Sequence, residues 1–161
     1  MPRLRLQLYA AILASLTIVF ALFMPKIYLG PFTATLGLHV PLFLSFTLGP
    51  WYSFLVGLFS ALGFLLAGLP IVIAARAAMH GFVGLLGGWL VVNRKWSFLS
   101  ALVTTSLLHA GSEALIVLPF GFDFHTGLVL VGGGTLLHHI VDSFLALLII
   151  KVISNKSTKS S

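Results

Sequence analysis

The sequence predicts an all-α integral membrane protein, a bundle of six transmembrane helices in a single domain spanning residues 1–161. Three observations carry that prediction. Of the 161 residues, 59% are hydrophobic and only 7% charged, with a mean hydropathy of +1.13. A soluble domain is about 45–50% apolar and about 25% charged, so the charges here are too few to cover a water-facing surface. The apolar residues fall in runs close to the roughly 20 that a membrane helix needs, punctuated by glycine, proline or charge. The basic residues sit at the chain ends and in one short loop, which marks the cytoplasmic leaflet rather than a nucleic-acid surface, despite a net charge of +6. The same composition excludes a soluble globular enzyme and a disordered chain. Cysteine is absent, which removes disulfides and thiolate metal sites.

Leu6 to Phe23 is the first apolar run, preceded by Arg3 and Arg5. Met24, Pro25 and Lys26 follow it instead of a small-residue cleavage site, so it reads as a membrane helix with residues 1–5 in the cytoplasm. Met24 to Gly37 is apolar yet broken by Pro25, Gly30, Pro31 and Gly37, the pattern of a loop packed on or into the membrane protein. A short second helix runs from His39 to Leu48, Gly49-Pro50 breaks it, and Trp51 to Ala67 forms the third. After Gly68-Leu69-Pro70 the fourth covers Ile71 to Val92, ended by Asn93, Arg94 and Lys95 with Trp96 as interfacial anchor. Phe98 to Leu118 is the fifth helix, stopped at Pro119. An aromatic loop with Asp123 follows, and Thr126 to Ile150 is the sixth. Residues 151–161 read as a disordered cytoplasmic tail carrying Lys151, Lys156 and Lys159. Six spans place Arg94-Lys95 and both termini inside, leaving Lys26 as the one basic residue of the outer loops. Five spans would put one terminus on the wrong side.

The informative residues are the few polar ones within apolar helices. A charge at the bilayer centre costs about 2.5–3.5 kcal/mol on insertion scales, so it faces a partner or a cavity. Arg76 and His80 share a face of the fourth helix, as do His109 and Glu113 on the fifth, each pair being four residues apart. His138, His139 and Asp142 form a third group on the sixth, with Asp142 in reach of either histidine. Helix direction puts Arg76, His80 and Glu113 in the outer half and His109 near the middle. His39 opens the second helix on the outer side, and Asp123 and His125 lie in the last outer loop. Two readings fit this convergence. The groups pair with one another to hold the bundle, Arg76 with Glu113 and Asp142 with a histidine, or they form a polar ligand site. For the cluster as a whole the site is the stronger reading, since apolar packing holds a bundle without such costs. Small residues let helices approach closely. Ala10 and Ala14 make such a face on the first helix, suited to internal packing or to a partner subunit. Gly84 and Gly88 repeat the spacing on the fourth, and Gly132 to Gly134 crowd the sixth.

A six-span chain of this size with Ala10-x-x-x-Ala14 on its first helix resembles the substrate-capture (S) components of energy-coupling factor (ECF) transporters. His39-Val40-Pro41-Leu42 followed by Leu48-Gly49-Pro50 is similar to their second-helix region. Gly57-Leu58-Phe59-Ser60-Ala61-Leu62-Gly63-Phe64 is similar to their third. Within that family, Ala74-Ala75-Arg76-Ala77-Ala78-Met79-His80 resembles the niacin-specific members. The resemblance implies a non-enzymatic, cofactor-free protein of the bacterial cell membrane that binds a vitamin near the outer face, under a lid made from residues 24–38. It also implies assembly with a transmembrane coupling subunit, docked at Ala10 and Ala14, and with two cytoplasmic ATPases. The chain has no Gly-x-x-x-x-Gly-Lys-Ser/Thr segment of its own.

An anionic aromatic ligand such as nicotinate suits the residues. Arg76 offers a planar two-pronged donor for a carboxylate. His80 or His109 can bond a ring nitrogen, and Tyr28, Phe32 or Phe120 can stack on the ring. Glu113 then orients Arg76 or a histidine, with His39 alongside. Other readings are an S component for a different small vitamin, a histidine-rich metal- or haem-binding membrane protein, and an intramembrane enzyme using His109 and Glu113 as acid and base. Against a zincin-type metal site, neither His-x-x-x-His nor His-Glu-x-x-His occurs. Against catalysis, nothing supplies a second carboxylate or a nucleophile nearby.

Overall fold

A computed structural model describes residues 3–30 and 32–157. Helix α1 (Arg3–Phe23) leads into a hairpin of β1 (Lys26–Leu29) and β2 (Phe32–Thr35). Then come α2 (Val40–Ser45), extended by a 3₁₀ turn over Phe46–Leu48, and α3 (Pro50–Leu66). Helices α4 (Ile71–Gly88), α5 (Phe98–Ile116) and α6 (Gly133–Ser157) complete the chain. A π-helical turn prolongs α4 over Trp89–Asn93, and another over Thr126–Gly132 precedes α6. The tail expected from Lys151 onward is instead helical through Ser157, because no glycine or proline interrupts the run. Residues 158–161 of that tail, and residues 1–2, lie outside the described residues.

Among the described residues, four helices are long and apolar enough to cross a bilayer: Arg3–Phe23, Ile71–Asn93, Phe98–Phe120 and Thr126–Asn155. Pro50–Leu66 is a shorter apolar helix of 17 residues. The second helix is not a span by itself. Six α-helical residues and three in the 3₁₀ turn rise less than about 20 Å, against a hydrocarbon core of about 30 Å. It is sealed inside protein instead, with Leu42, Phe43 and Phe46 buried, which is where irregular backbone is tolerated at membrane depth. Pro41 falls in its first turn, where the missing N–H is not needed. Apolar side chains line the outside: Leu8, Ile12 and Val19 on α1, Leu107 on α5, and Leu137, Val141 and Phe144 on α6. So continuous an exposed apolar surface belongs in lipid.

Helices α3 and α4 meet backbone to backbone. A Cβ on Gly57 would lie 2.4 Å from the nitrogen of Gly81, one on Gly84 2.4 Å from the carbonyl oxygen of Ser53, and one on Gly88 2.6 Å from the carbonyl carbon of Gly49. The Gly84/Gly88 spacing is therefore an internal seam, and it fixes His80, whose carbonyl carbon lies 2.4 Å from the same Gly57 Cβ position. Ala10 and Ala14 are also buried, where α1 packs on α2 and α3 in one apolar cluster with Val40, Phe43 and Val56. Ala14 packs inside this chain, and Ala10 packs there too while bordering an outer groove between α1 and α3.

The segment expected as a broken loop folds as a hairpin, with Lys26 opposite Thr35 and Leu29 opposite Phe32. Its second strand faces the bundle. Phe32 and Thr35 are buried, whereas Ile27, Tyr28 and Leu29 of the first strand are exposed. Phe32 rests on Gly134 of α6, where an added Cβ would come 2.7 Å from the ring.

Gly57→Ala should force α3 from α4 and lower the thermal midpoint of the detergent-solubilised protein by the equivalent of about 1–3 kcal/mol. Gly111→Ala meets nothing within 4 Å, and should leave the midpoint unchanged or raise it, since alanine is the better helix former by roughly 0.5–1 kcal/mol. Equal midpoints for the two variants would contradict the seam.

Candidate functional site

Helices α4 and α5 each present two polar residues one turn apart, and the structure sets these pairs against each other. The carboxylate of Glu113 is the meeting point. Its Oε2 accepts from Arg76 Nε at 3.0 Å and Nη2 at 2.7 Å, and from the hydroxyl of Thr135 on α6 at 2.6 Å. Its Oε1 faces His80 Nε2 at 3.2 Å and His109 Nε2 at 3.3 Å. All five side chains are buried. A carboxylate so enclosed is tolerable only when donors surround it.

Above this group lies the hairpin. Arg76 Nη1 donates to Thr33 Oγ1 at 3.3 Å and Nη2 to the Thr33 carbonyl at 3.5 Å, and the guanidinium lies 5.5 Å from the centre of the Phe32 ring. A second buried carboxylate fastens the segment behind the hairpin. Asp142 accepts from the backbone N–H groups of Gly37 and His39, both at 2.9 Å. Its Oδ2 also pairs with His39 Nδ1 at 3.0 Å and His138 Nε2 at 3.1 Å. Gly37 adopts a φ of +78°, a left-handed conformation that glycine reaches without strain. His138 Nε2 also donates to the Thr35 carbonyl at 2.9 Å.

The histidines link the two carboxylates. The His39 ring packs edge-on against His80 and His109, with centroids 4.8 and 4.6 Å away. His109 Nδ1 is 3.0 Å from His139 Nδ1, and His139 Nε2 donates to the Leu102 carbonyl at 2.9 Å. Thr33, His39, Arg76, His80, Glu113 and His138 line a cavity of only about 20 Å³, room for about one water. A larger concavity of about 640 Å³ lies between the hairpin and α6, lined by Ala34, Leu36, Leu130, Leu137 and Val141. Its size suits a small ligand. Its walls are almost wholly apolar, so the charge chemistry belongs to the smaller space.

The niacin transporter NiaX of Lactococcus lactis is 32% identical to this chain over 162 residues, covering 90% of the chain and 72% of that protein. The chain belongs to that family, the niacin-type S components. No family model matches it, and no solved structure does. The family is one of transporters and not of enzymes, which sets aside the acid-base reading of His109 and Glu113. The polar cluster is the candidate site of a multi-pass membrane transporter.

In this S component Arg76, His80, His109, Glu113 and His39 converge, and Phe32 lies against Arg76. Two of the aromatic residues expected beside them do not join. Tyr28 is 64% exposed on the outer strand of the hairpin, and Phe120 is 39% exposed on the 3₁₀ turn after α5. Asp123 and His125 also stay apart, both exposed. Asp123 accepts from the hydroxyl of Thr126 at 2.6 Å and from its N–H at 2.9 Å, which caps the turn and holds the carboxyl below its usual range. Thr33, Thr135 and the Asp142–His39 link had no signal in the sequence, since each depends on chain segments brought together only by folding.

Asp142→Ala should leave the buried amides of Gly37 and His39 without an acceptor, at about 1–3 kcal/mol each. Hydrogen exchange over residues 36–40 should accelerate while α5 stays protected. Unchanged protection at 36–40 would show that Asp142 does not fasten the hairpin.

Proposed function

We propose that this S component captures nicotinate at the Arg76–Glu113 cluster and passes it through an ECF-type importer of the plasma membrane. The observation that carries the reading is the state of Arg76: a buried guanidinium held from one side by Glu113 and covered on the other by the hairpin's Thr33 and Phe32. The contacts to Thr33, at 3.3 and 3.5 Å, are longer than those to Glu113. Lifting the hairpin therefore exposes the guanidinium edge while Glu113 keeps hold of Arg76. A ligand carboxylate then replaces Thr33 with a charge-assisted bond, which is roughly twice as strong as a neutral one. His80 or His109 lies within reach of a ring nitrogen, and Phe32 offers a face to the ring as the hairpin returns. Because the closed space holds about 20 Å³, binding requires the hairpin to act as a lid.

The identity to a niacin transporter supports the choice of vitamin. The distribution of basic residues supports six membrane segments with both termini cytoplasmic, so that the lid faces outward. With no P-loop in the sequence, energy comes from partner subunits: a transmembrane coupling protein and two ATPases. For the coupling protein, the small-residue side of α1 opens on a groove of about 320 Å³ bounded by Gln7, Ala10, Ala11, Trp51 and Phe59. Ala14 stays inside and supports that surface from below.

Binding of radiolabelled nicotinate to the purified chain tests the reading. Nicotinamide, which lacks the charge, should compete weakly. Arg76→Lys keeps a cation beside Glu113 but loses the fork, and should weaken nicotinate by about 10- to 100-fold, the loss of one charged hydrogen bond of roughly 1.5–3 kcal/mol. Equal affinity for the acid and the amide, or an unaltered affinity in Arg76→Lys, would remove the carboxylate clamp.

A further inference from the structure

We propose that His39, His80, His109 and Glu113 form a four-ligand site for one divalent transition-metal ion of the zinc class. One donor atom from each residue lies within 4.8 Å of all the others, and all four residues are buried. Around a tetrahedral ion with bonds of about 2.0–2.2 Å, neighbouring ligand atoms stand roughly 3.3–3.5 Å apart. His80 Nε2 and His109 Nε2 stand 3.2 and 3.3 Å from Glu113 Oε1, so two edges of the tetrahedron are already close to that size. Side-chain rotation completes the rest.

The surroundings of two of the three histidines match what metal ligands require. A ligating histidine commits its other ring nitrogen to an acceptor, which fixes the tautomer and aims the ring. His39 does so through Nδ1 to Asp142 at 3.0 Å, leaving Nε2 as its lone pair. His139 must donate from Nε2 to the Leu102 carbonyl, so its Nδ1 accepts from His109 Nδ1 at 3.0 Å and His109 keeps its lone pair on Nε2. Glu113 is shared, with Oε1 turned to the histidines and Oε2 held by Arg76 and Thr135. The space lined by His39, His80 and Glu113 holds about 20 Å³, which accepts one ion or water and nothing larger. Two buried carboxylates face one buried arginine here, so the group carries a net negative charge that favours a cation over an anion. Three imidazoles and a carboxylate select zinc, cobalt or nickel over magnesium and calcium, which prefer oxygen alone. With four protein ligands the ion is structural. It ties His39, at the base of the hairpin, to α4 and α5. This inference does not rest on the choice of vitamin.

The test uses the full chain without a histidine tag, purified in detergent, stripped with chelator and reloaded with Co²⁺ or Zn²⁺. Metal analysis should find one ion per chain, and the Co²⁺ form should show the intense visible bands of tetrahedral coordination. His109→Ala and Glu113→Gln should lose stoichiometric retention, His139→Gln should weaken Co²⁺ binding by about 10- to 100-fold, and His125→Ala, at an exposed position, should bind as the parent does. Because ligand variants risk misfolding, the spectrum of the unmutated chain decides by itself. Absence of bound metal from the folded, reloaded chain, or the weak bands of octahedral Co²⁺, would overturn the proposal. Nicotinate binding is measured on the loaded and stripped protein in parallel. Metal without nicotinate would overturn only the vitamin reading, and nicotinate without metal only this one.

Discussion

A carboxylate carried into an apolar bundle loses several kcal/mol of hydration that only close donors restore, and Glu113 makes that demand on the whole S component. Its two oxygens take donors from α4 and α6 and lie beside a histidine of its own helix one turn away. Meeting the demand fixes the rotation of α4, since Arg76 and His80 must both point at α5. It fixes the depth of α6 as well, since Thr135 must reach the same oxygen. The glycine seam serves the same end. Gly57 lets α3 press on the backbone of His80, so the ring that faces Glu113 is braced from behind. Packing and electrostatics are therefore not separable here. A methyl group in the seam and a lost charge in the cluster would both move His80.

The two buried acids divide the work. Glu113 holds Arg76, the one buried arginine or lysine among the described residues. Asp142 holds the chain between the hairpin and α2. The hairpin is consequently fastened at both ends but unequally. At its base, Gly37 and His39 donate to Asp142 at 2.9 Å. Toward its tip, Arg76 touches Thr33 at 3.3 and 3.5 Å. The proposed lid motion, opening at the tip and pivoting at the base, follows from that asymmetry and leaves the helices beneath undisturbed. His39 stands behind the hairpin and contacts both halves of the polar network, so the hairpin's anchor and the Arg76–Glu113 cluster are one connected structure.

Much of this was legible in the sequence, and the parts that were share a cause. Arg76/His80 and His109/Glu113 are four-residue spacings, which helix geometry converts directly into shared faces, and so their meeting could be inferred from residue type alone. The limits of α3, α4 and α5 follow from glycine, proline and basic punctuation. The hairpin was not legible, because two strands of four residues around Gly30-Pro31 leave too few residues for an alternating pattern to emerge. That α2 is walled in by protein was not legible, because apolar composition does not report what surrounds a helix. The exposure of Tyr28 and Phe120 was not legible either, since composition gives an aromatic residue in an outer loop no direction until the chain folds. Ala10 and Ala14 carried a true ambiguity: a small-residue face looks the same whether its neighbour is in the same chain or in another.

The central claim is that the guanidinium of Arg76 exchanges a hairpin contact for a ligand carboxylate while Glu113 keeps its place. A structure of this S component with nicotinate bound tests it most directly. The carboxylate should lie within hydrogen-bond distance of Arg76, with Thr33 displaced and the Arg76–Glu113 pair intact. Nicotinate seated instead in the apolar concavity between the hairpin and α6, with Thr33 still on Arg76, would contradict it.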